Sequence, residues 1–125
     1  MHRFALDYLR EWKTKPTRKP LVVRGARQVG KSHLVRAFAD EAFLNLLEIN
    51  LERAPATASL FASKSPQTIV PLLEARFDVR LTPGESLLFL DEIQAAPEVF
   101  AALRYIHEDM PGQHVIAAGS LLEFV

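Results

Sequence analysis

The stretch Gly25-Ala26-Arg27-Gln28-Val29-Gly30-Lys31-Ser32 fills every fixed position of the pattern G-x-x-x-x-G-K-[ST]. Each fixed residue type has a chemical reason. The two glycines let the backbone turn tightly with its N–H groups pointing inward, as a nest for an anion. A helix starting near Lys31 adds the positive end of its dipole beneath the same anion. Lys31 supplies an ammonium that reaches β- and γ-phosphates, and the Ser32 hydroxyl is a hard oxygen ligand suited to Mg2+. Ala26, Arg27, Gln28 and Val29 lend their backbone to the loop, and His33 lies beside it. The pattern does not explain the Arg27 and Gln28 side chains, which read either as solvated or as contacts with phosphate or a partner subunit.

A second cluster follows about 60 residues later: Asp91-Glu92, directly after the apolar run Leu87-Leu88-Phe89-Leu90. A carboxylate at the C-terminal end of a parallel strand sits where such sheets bind ligands. There Asp91 is the expected Mg2+ partner through water, and Glu92 can polarise water for attack on a γ-phosphate. Gln94 reads equally as a water-orienting group or as a cap for the next helix. Ser120, after Ala117-Ala118-Gly119, reads as a γ-phosphate sensor if its strand lies between the loop and Asp91, and otherwise as a strand-end turn. His2, His33, His107 and His114 share no metal-ligand spacing and read as structural or solvated.

These groups need elements to hold them. Phe4, Tyr8, Leu9 and Trp12 form one helical stripe over residues 3–12. Lys13 to Pro20, with two prolines and four cations, is expected as an exposed, solvated connector. Leu21-Val22-Val23 predicts a buried strand, residues 31–43 a helix facing inward through Leu34, Val35, Phe38, Ala39, Ala42 and Phe43, and residues 46–51 a second strand. Ser65-Pro66 predicts a helix start over about 66–78, with Ile69, Leu72, Leu73, Arg76 and Phe77 at helical spacing. Pro71 is expected to kink that helix or to mark its start. Thr82-Pro83-Gly84-Glu85 has the residue order of a type II turn. Residues 86–90 predict a strand buried on both faces, Pro97 opens another helix that ends at Met110-Pro111-Gly112, and residues 114–118 predict a fourth strand. Strictly alternating strands and helices argue for a parallel sheet covered on both faces.

The chain has 125 residues, no cysteine and a net charge of zero. Disulfides and thiolate chemistry are excluded. No apolar run approaches the ~20 residues of a membrane span, and the N-terminus lacks the apolar core of a secretory signal. A soluble, cytoplasmic protein without membrane contact is expected. The zero charge hides an asymmetry: residues 1–36 hold ten Lys or Arg against two acids, +8, and the remaining 89 residues stand at −8. A basic end attracts phosphates, of a nucleotide or a nucleic acid.

Neighbouring classes fit less well. Asp91-Glu92-Ile93-Gln94 lacks the glycine of D-x-x-G, and neither N-K-x-D nor an LSGGQ-like signature occurs. The residues favour an ATPase with an added glutamate.

Three segments together carry a family resemblance: Arg24 to Ser32, Leu88-Phe89-Leu90-Asp91-Glu92-Ile93-Gln94, and Ala117-Ala118-Gly119-Ser120-Leu121-Leu122-Glu123-Phe124. The chain resembles the AAA-domain ATPases of bacteria and archaea, in the branch that has the phrase G-A-R-Q-V-G-K-[ST] and continues into a separate C-terminal domain. The resemblance implies a three-layer α/β P-loop NTPase core, AAA+-like, with strand order 5-1-4-3-2. It implies ATP and Mg2+ as ligands, Lys31, Ser32, Asp91 and Glu92 in the roles derived above, and Ser120 at a polar sensor position often held by Asn. Residues 1–20 are then an N-terminal helix and basic connector, and residues 21–125 the ATPase core. Against that pattern the core is expected to be truncated after its fourth strand, without residues for a fifth strand, a lid or an arginine finger, and Arg104 reads as a helix-surface residue.

The leading expectation is an ATP-binding ATPase whose turnover is slow in this chain alone. Self-association or a C-terminal domain are the implied partners. The rivals are a nucleotide-binding or interaction module without efficient hydrolysis, and nucleic-acid binding through the basic N-terminal third.

Overall fold

The computed structural model describes residues 2–15, 18–24 and 29–119. Four helices, α1 (His2–Thr14), α2 (Val29–Ala42), α3 (Pro66–Phe77) and α4 (Pro97–Asp109), surround four strands, β1 (Leu21–Arg24), β2 (Asn45–Asn50), β3 (Ser86–Asp91) and β4 (His114–Gly119). Short 3-10 segments lie at Pro55–Phe61 and Ile93–Ala95. All strand pairs are parallel, in the order β1-β4-β3-β2. This is the α/β fold that the alternation predicts, and the order agrees with 5-1-4-3-2 over its four common strands.

The strands explain themselves by burial. The five apolar or small residues of β3 before Asp91, and every residue of β4, are buried. Both strands are central, so both of their faces need apolar side chains. One face, through Leu88, Leu90, Val115 and Ala117, packs on Ile69, Leu73, Val99 and Ile106 of α3 and α4. The other, through Leu87, Phe89, Ile116 and Ala118, packs on Leu9 and Trp12 of α1 and Val35 and Phe38 of α2. β2 lies at an edge, and its burial alternates.

Several local expectations hold in detail. In the turn Thr82–Glu85, the Glu85 N–H donates to the Thr82 carbonyl at 3.0 Å, and Gly84 sits at φ +82°. That is the positive φ a type II turn needs at its third residue. α2 buries Val35, Phe38 and Ala39 as its spacing requires.

Others are corrected. On α1, Leu9 and Trp12 are buried, but Tyr8 is 55% exposed, so the inner stripe excludes it. Phe4 lies among the residues whose side chains are not described. On α3, Ile69, Val70 and Leu73 are buried, whereas Leu72 is 42% exposed. α3 starts at Pro66 and continues as helix through Pro71. Pro71 and Gln67, four residues before it, both lie on the exposed side. Water can take the Gln67 carbonyl that proline cannot bond, which lowers the cost of the proline there.

The basic connector is also less solvated than expected. Trp12 Nε1–H donates to the Lys19 carbonyl at 2.8 Å. The Arg18 guanidinium donates to the Lys13 and Pro111 carbonyls and lies 5.9 Å from the Trp12 ring. Lys13 sits 5.0 Å from the Phe43 ring centre. The half-buried Arg18 ties the connector to the loop before β4.

Candidate nucleotide site

The C-terminal ends of the strands meet at one rim of the sheet. Arg24 pairs with Gly119, and Asn50 with Asp91. α2 begins at Val29, a few residues after β1 ends, so its first turn holds Val29, Gly30, Lys31 and Ser32 at that rim. The order β1-β4-β3 puts the end of β4 between the loop strand and the Asp91 strand, the condition set for Ser120 in a sensing role. Ser120 itself, and Gly25, Ala26, Arg27 and Gln28, lie outside the described residues.

Ser32 Oγ donates a hydrogen bond to Asp91 Oδ2 at 3.0 Å. The two sequence clusters are thus one site. Asp91's other oxygen, Oδ1, accepts the backbone N–H of Glu92 at 2.9 Å. That bond supports an uncommon backbone: Glu92 adopts the left-handed conformation, φ 53°, ψ 49°. For a residue other than glycine this conformation costs about 1–3 kcal/mol, and such outliers gather at functional sites. Gln94 Nε2 then donates to Glu92 Oε1 at 2.7 Å. Asp91, Glu92 and Gln94 are all partly buried.

One helical turn beyond Ser32, Arg36 forms a two-pronged pair with Glu48 on β2, at 2.8 and 2.7 Å. The Glu48 hydrogen bond and charge raise the Arg36 pKa above its usual value, with a smaller contribution from the Asp91 charge. One face of α2 therefore lays Ser32 on the end of β3 and Arg36 on β2, which fixes the rotation of the helix. His33 is exposed on α2.

Two features here went unread in the sequence. The Arg36–Glu48 pair joins residues of opposite charge whose partnership depends on the β2–β3 register. The left-handed Glu92 has no residue-type signal, because glutamate rarely adopts that conformation. The open choice for Gln94 is resolved against capping: the α4 N-cap is Ala96, without a side-chain cap, while Gln94 turns to Glu92.

The donor set suits Mg2+. A hydroxyl and a carboxylate within hydrogen-bond distance are hard oxygen ligands, and Mg2+ is commonly held by one or two such groups plus substrate phosphates. Among the described residues, no cluster of three or more His, Asp or Glu offers an all-protein metal cage. No helix among them is long and apolar enough to cross a membrane.

Comparison with known proteins agrees with this architecture. A family model described as an AAA domain, AAA_14, matches residues 17–125. The chain belongs to that family and is an AAA-type, ATPase-like domain. No curated protein matches the chain significantly. Among solved structures, that of C. elegans PCH-2 is similar in fold, with a TM-score of 0.55 and 10% identity over 99% of this chain. The chain spans 37% of the length of that structure.

Proposed function

We propose that this chain binds ATP at the 25–32 loop and hydrolyses it with Mg2+. The hydrogen bond from Ser32 to Asp91 carries the reading, because it joins the two motifs through the two oxygens best suited to the metal. Bound Mg2+ supplies charge neutralisation at the phosphate oxygens. Ser32 and Asp91 hold it. The loop backbone and the first turn of α2 bind the phosphates, and Lys31 offsets charge on the β- and γ-groups. Arg27, Gln28 and His33 flank them. Glu92 accepts a hydrogen bond from water and orients it in line with the γ-phosphorus. As the new P–O bond forms, the bond to the bridging oxygen breaks, ADP leaves with the electron pair, and one proton of the water passes to the released inorganic phosphate. Ser120, following β4, senses the γ-phosphate.

The loop phrase supports membership of the bacterial and archaeal branch. Among the described residues, no arginine is assigned to the γ-phosphate. An arginine finger is worth about 10³–10⁵-fold, so turnover by this chain alone is slow, and self-association is a route to supplying one.

The basic N-terminal third supports nucleic-acid binding less well. Arg10 pairs with Asp7 and Glu41, Arg36 with Glu48, and Lys13 and Arg18 lie over aromatic rings.

The test is Glu92→Gln. It is expected to bind Mg·ATP as tightly as the parent and to hydrolyse it at least a hundredfold more slowly in single-turnover assays. An unchanged rate would contradict the role of Glu92, and binding without turnover in the parent would favour a nucleotide-binding module.

A further inference from the structure

Gln94 occupies a costly position. Its amide Nε2 donates to Glu92 Oε1 at 2.7 Å. Its Oε1 is buried and has no hydrogen-bond partner among the described residues. A buried acceptor left unpaired is destabilising. Flipping the amide would not relieve the cost, because it would set the amide oxygen against the Glu92 carboxylate. The orientation is therefore dictated by Glu92, whose backbone is itself in the left-handed region. Two unfavourable local choices, two residues apart, converge on one carboxylate. Native proteins keep such choices where function requires them.

We propose that Gln94 is a positioning residue for Glu92: its amide N–H holds the carboxylate in the orientation from which it directs water. The proposal rests on the ATPase reading above. Gln94 acts through Glu92 and does not touch the nucleotide. Removing it should therefore lower kcat and leave nucleotide binding intact. It should change the stability of the fold little, because the lost hydrogen bond to Glu92 is offset by removal of a buried, unpaired oxygen.

The experiment compares the parent, Gln94→Met, Glu92→Gln and the double variant, using the full protein. Gln94→Met is expected to lower kcat at least tenfold, with KM and the dissociation constant of a fluorescent ATP analogue within twofold of the parent. Its thermal midpoint is expected close to that of the parent. The double variant is expected to be no slower than Glu92→Gln, since both changes disable one group. In the nucleotide-free protein, the side-chain amide signal of Gln94 by 15N NMR should shift in Glu92→Ala, a readout that needs no turnover.

Unchanged kcat in Gln94→Met, beside a large loss in Glu92→Gln, would overturn the role of Gln94 and leave the ATPase reading standing. Unchanged kcat in Glu92→Gln would overturn the ATPase reading and the role of Gln94 with it. Should Gln94→Met fold poorly, the NMR comparison decides: a Gln94 signal indifferent to Glu92→Ala overturns the proposal.

Discussion

Ser32 on α2 and Asp91 at the end of β3 are 59 positions apart in sequence and 3.0 Å apart in space. Parallel packing produces this meeting. β1 ends at one rim of the sheet, where α2 begins; β3 ends at the same rim, and β4 lies between the two strands. The hydroxyl of the loop motif thereby reaches the carboxylate of the acidic strand end without any segment having to reach across the sheet.

Ser32→Ala removes the hydroxyl from both Asp91 and the metal. A hydrogen bond to a charged group contributes about 1.5–3 kcal/mol. We expect ATP affinity in the presence of Mg2+ to fall about ten- to a hundredfold, roughly 1.4–2.8 kcal/mol. In EDTA the parent and the variant should bind equally. Calorimetric titration under both conditions checks this, and an equal loss without Mg2+ would point to a direct phosphate contact.

Gly84→Ala should destabilise the fold by about 1–2 kcal/mol, the cost of placing a Cβ in a left-handed conformation. A Cβ there would meet nothing within 4 Å, so the penalty is one of backbone conformation and not of crowding. Urea denaturation measures it. A neutral result would mean that the Thr82–Glu85 turn can change type at no cost.

Acid should weaken the fold through His114. Its ring is packed edge-on against Trp12 and Phe43, with centroids 5.6 and 5.1 Å away. Burial pushes its pKa below the usual 6.5, partly opposed by the hydrogen bond between Nε2 and the Lys13 carbonyl, while the Arg18 and Lys13 cations add to the lowering. The unfolded chain then takes up a proton at a higher pH than the folded chain does. Stability is fully present above about pH 6.5 and falls as the pH drops through that value towards the folded pKa. Denaturation midpoints at pH 7.5 and 5.5 should differ in that direction, and His114→Gln should reduce the difference.

Much of this fold is legible in the sequence because its central strands are apolar at consecutive positions. Leu87 to Leu90 reads as a strand buried on both faces, and the phosphate-loop pattern then orients the sheet. The Thr82-Pro83-Gly84 order fixes a turn through backbone sterics alone. What stays hidden depends on contacts far apart in the chain. Trp12 looks like a core residue in sequence, but its bond to the Lys19 carbonyl, and the Arg18 guanidinium near its ring, belong to the folded connector. Tyr8 lies one helical turn from Trp12 in sequence, yet it stays exposed while Leu9 and Trp12 turn inward. Gln94 offers an amide that suits several partners, and only the left-handed turn at Glu92 brings it onto that carboxylate.

ATP binding at the loop is tested most directly by titrating Mg·ATP into the parent protein and into Lys31→Ala, with folding of both confirmed by circular dichroism. Saturable binding is expected in the parent and a loss of at least tenfold in the variant. Equal binding in the two, or none in the parent, would contradict ATP binding at the loop.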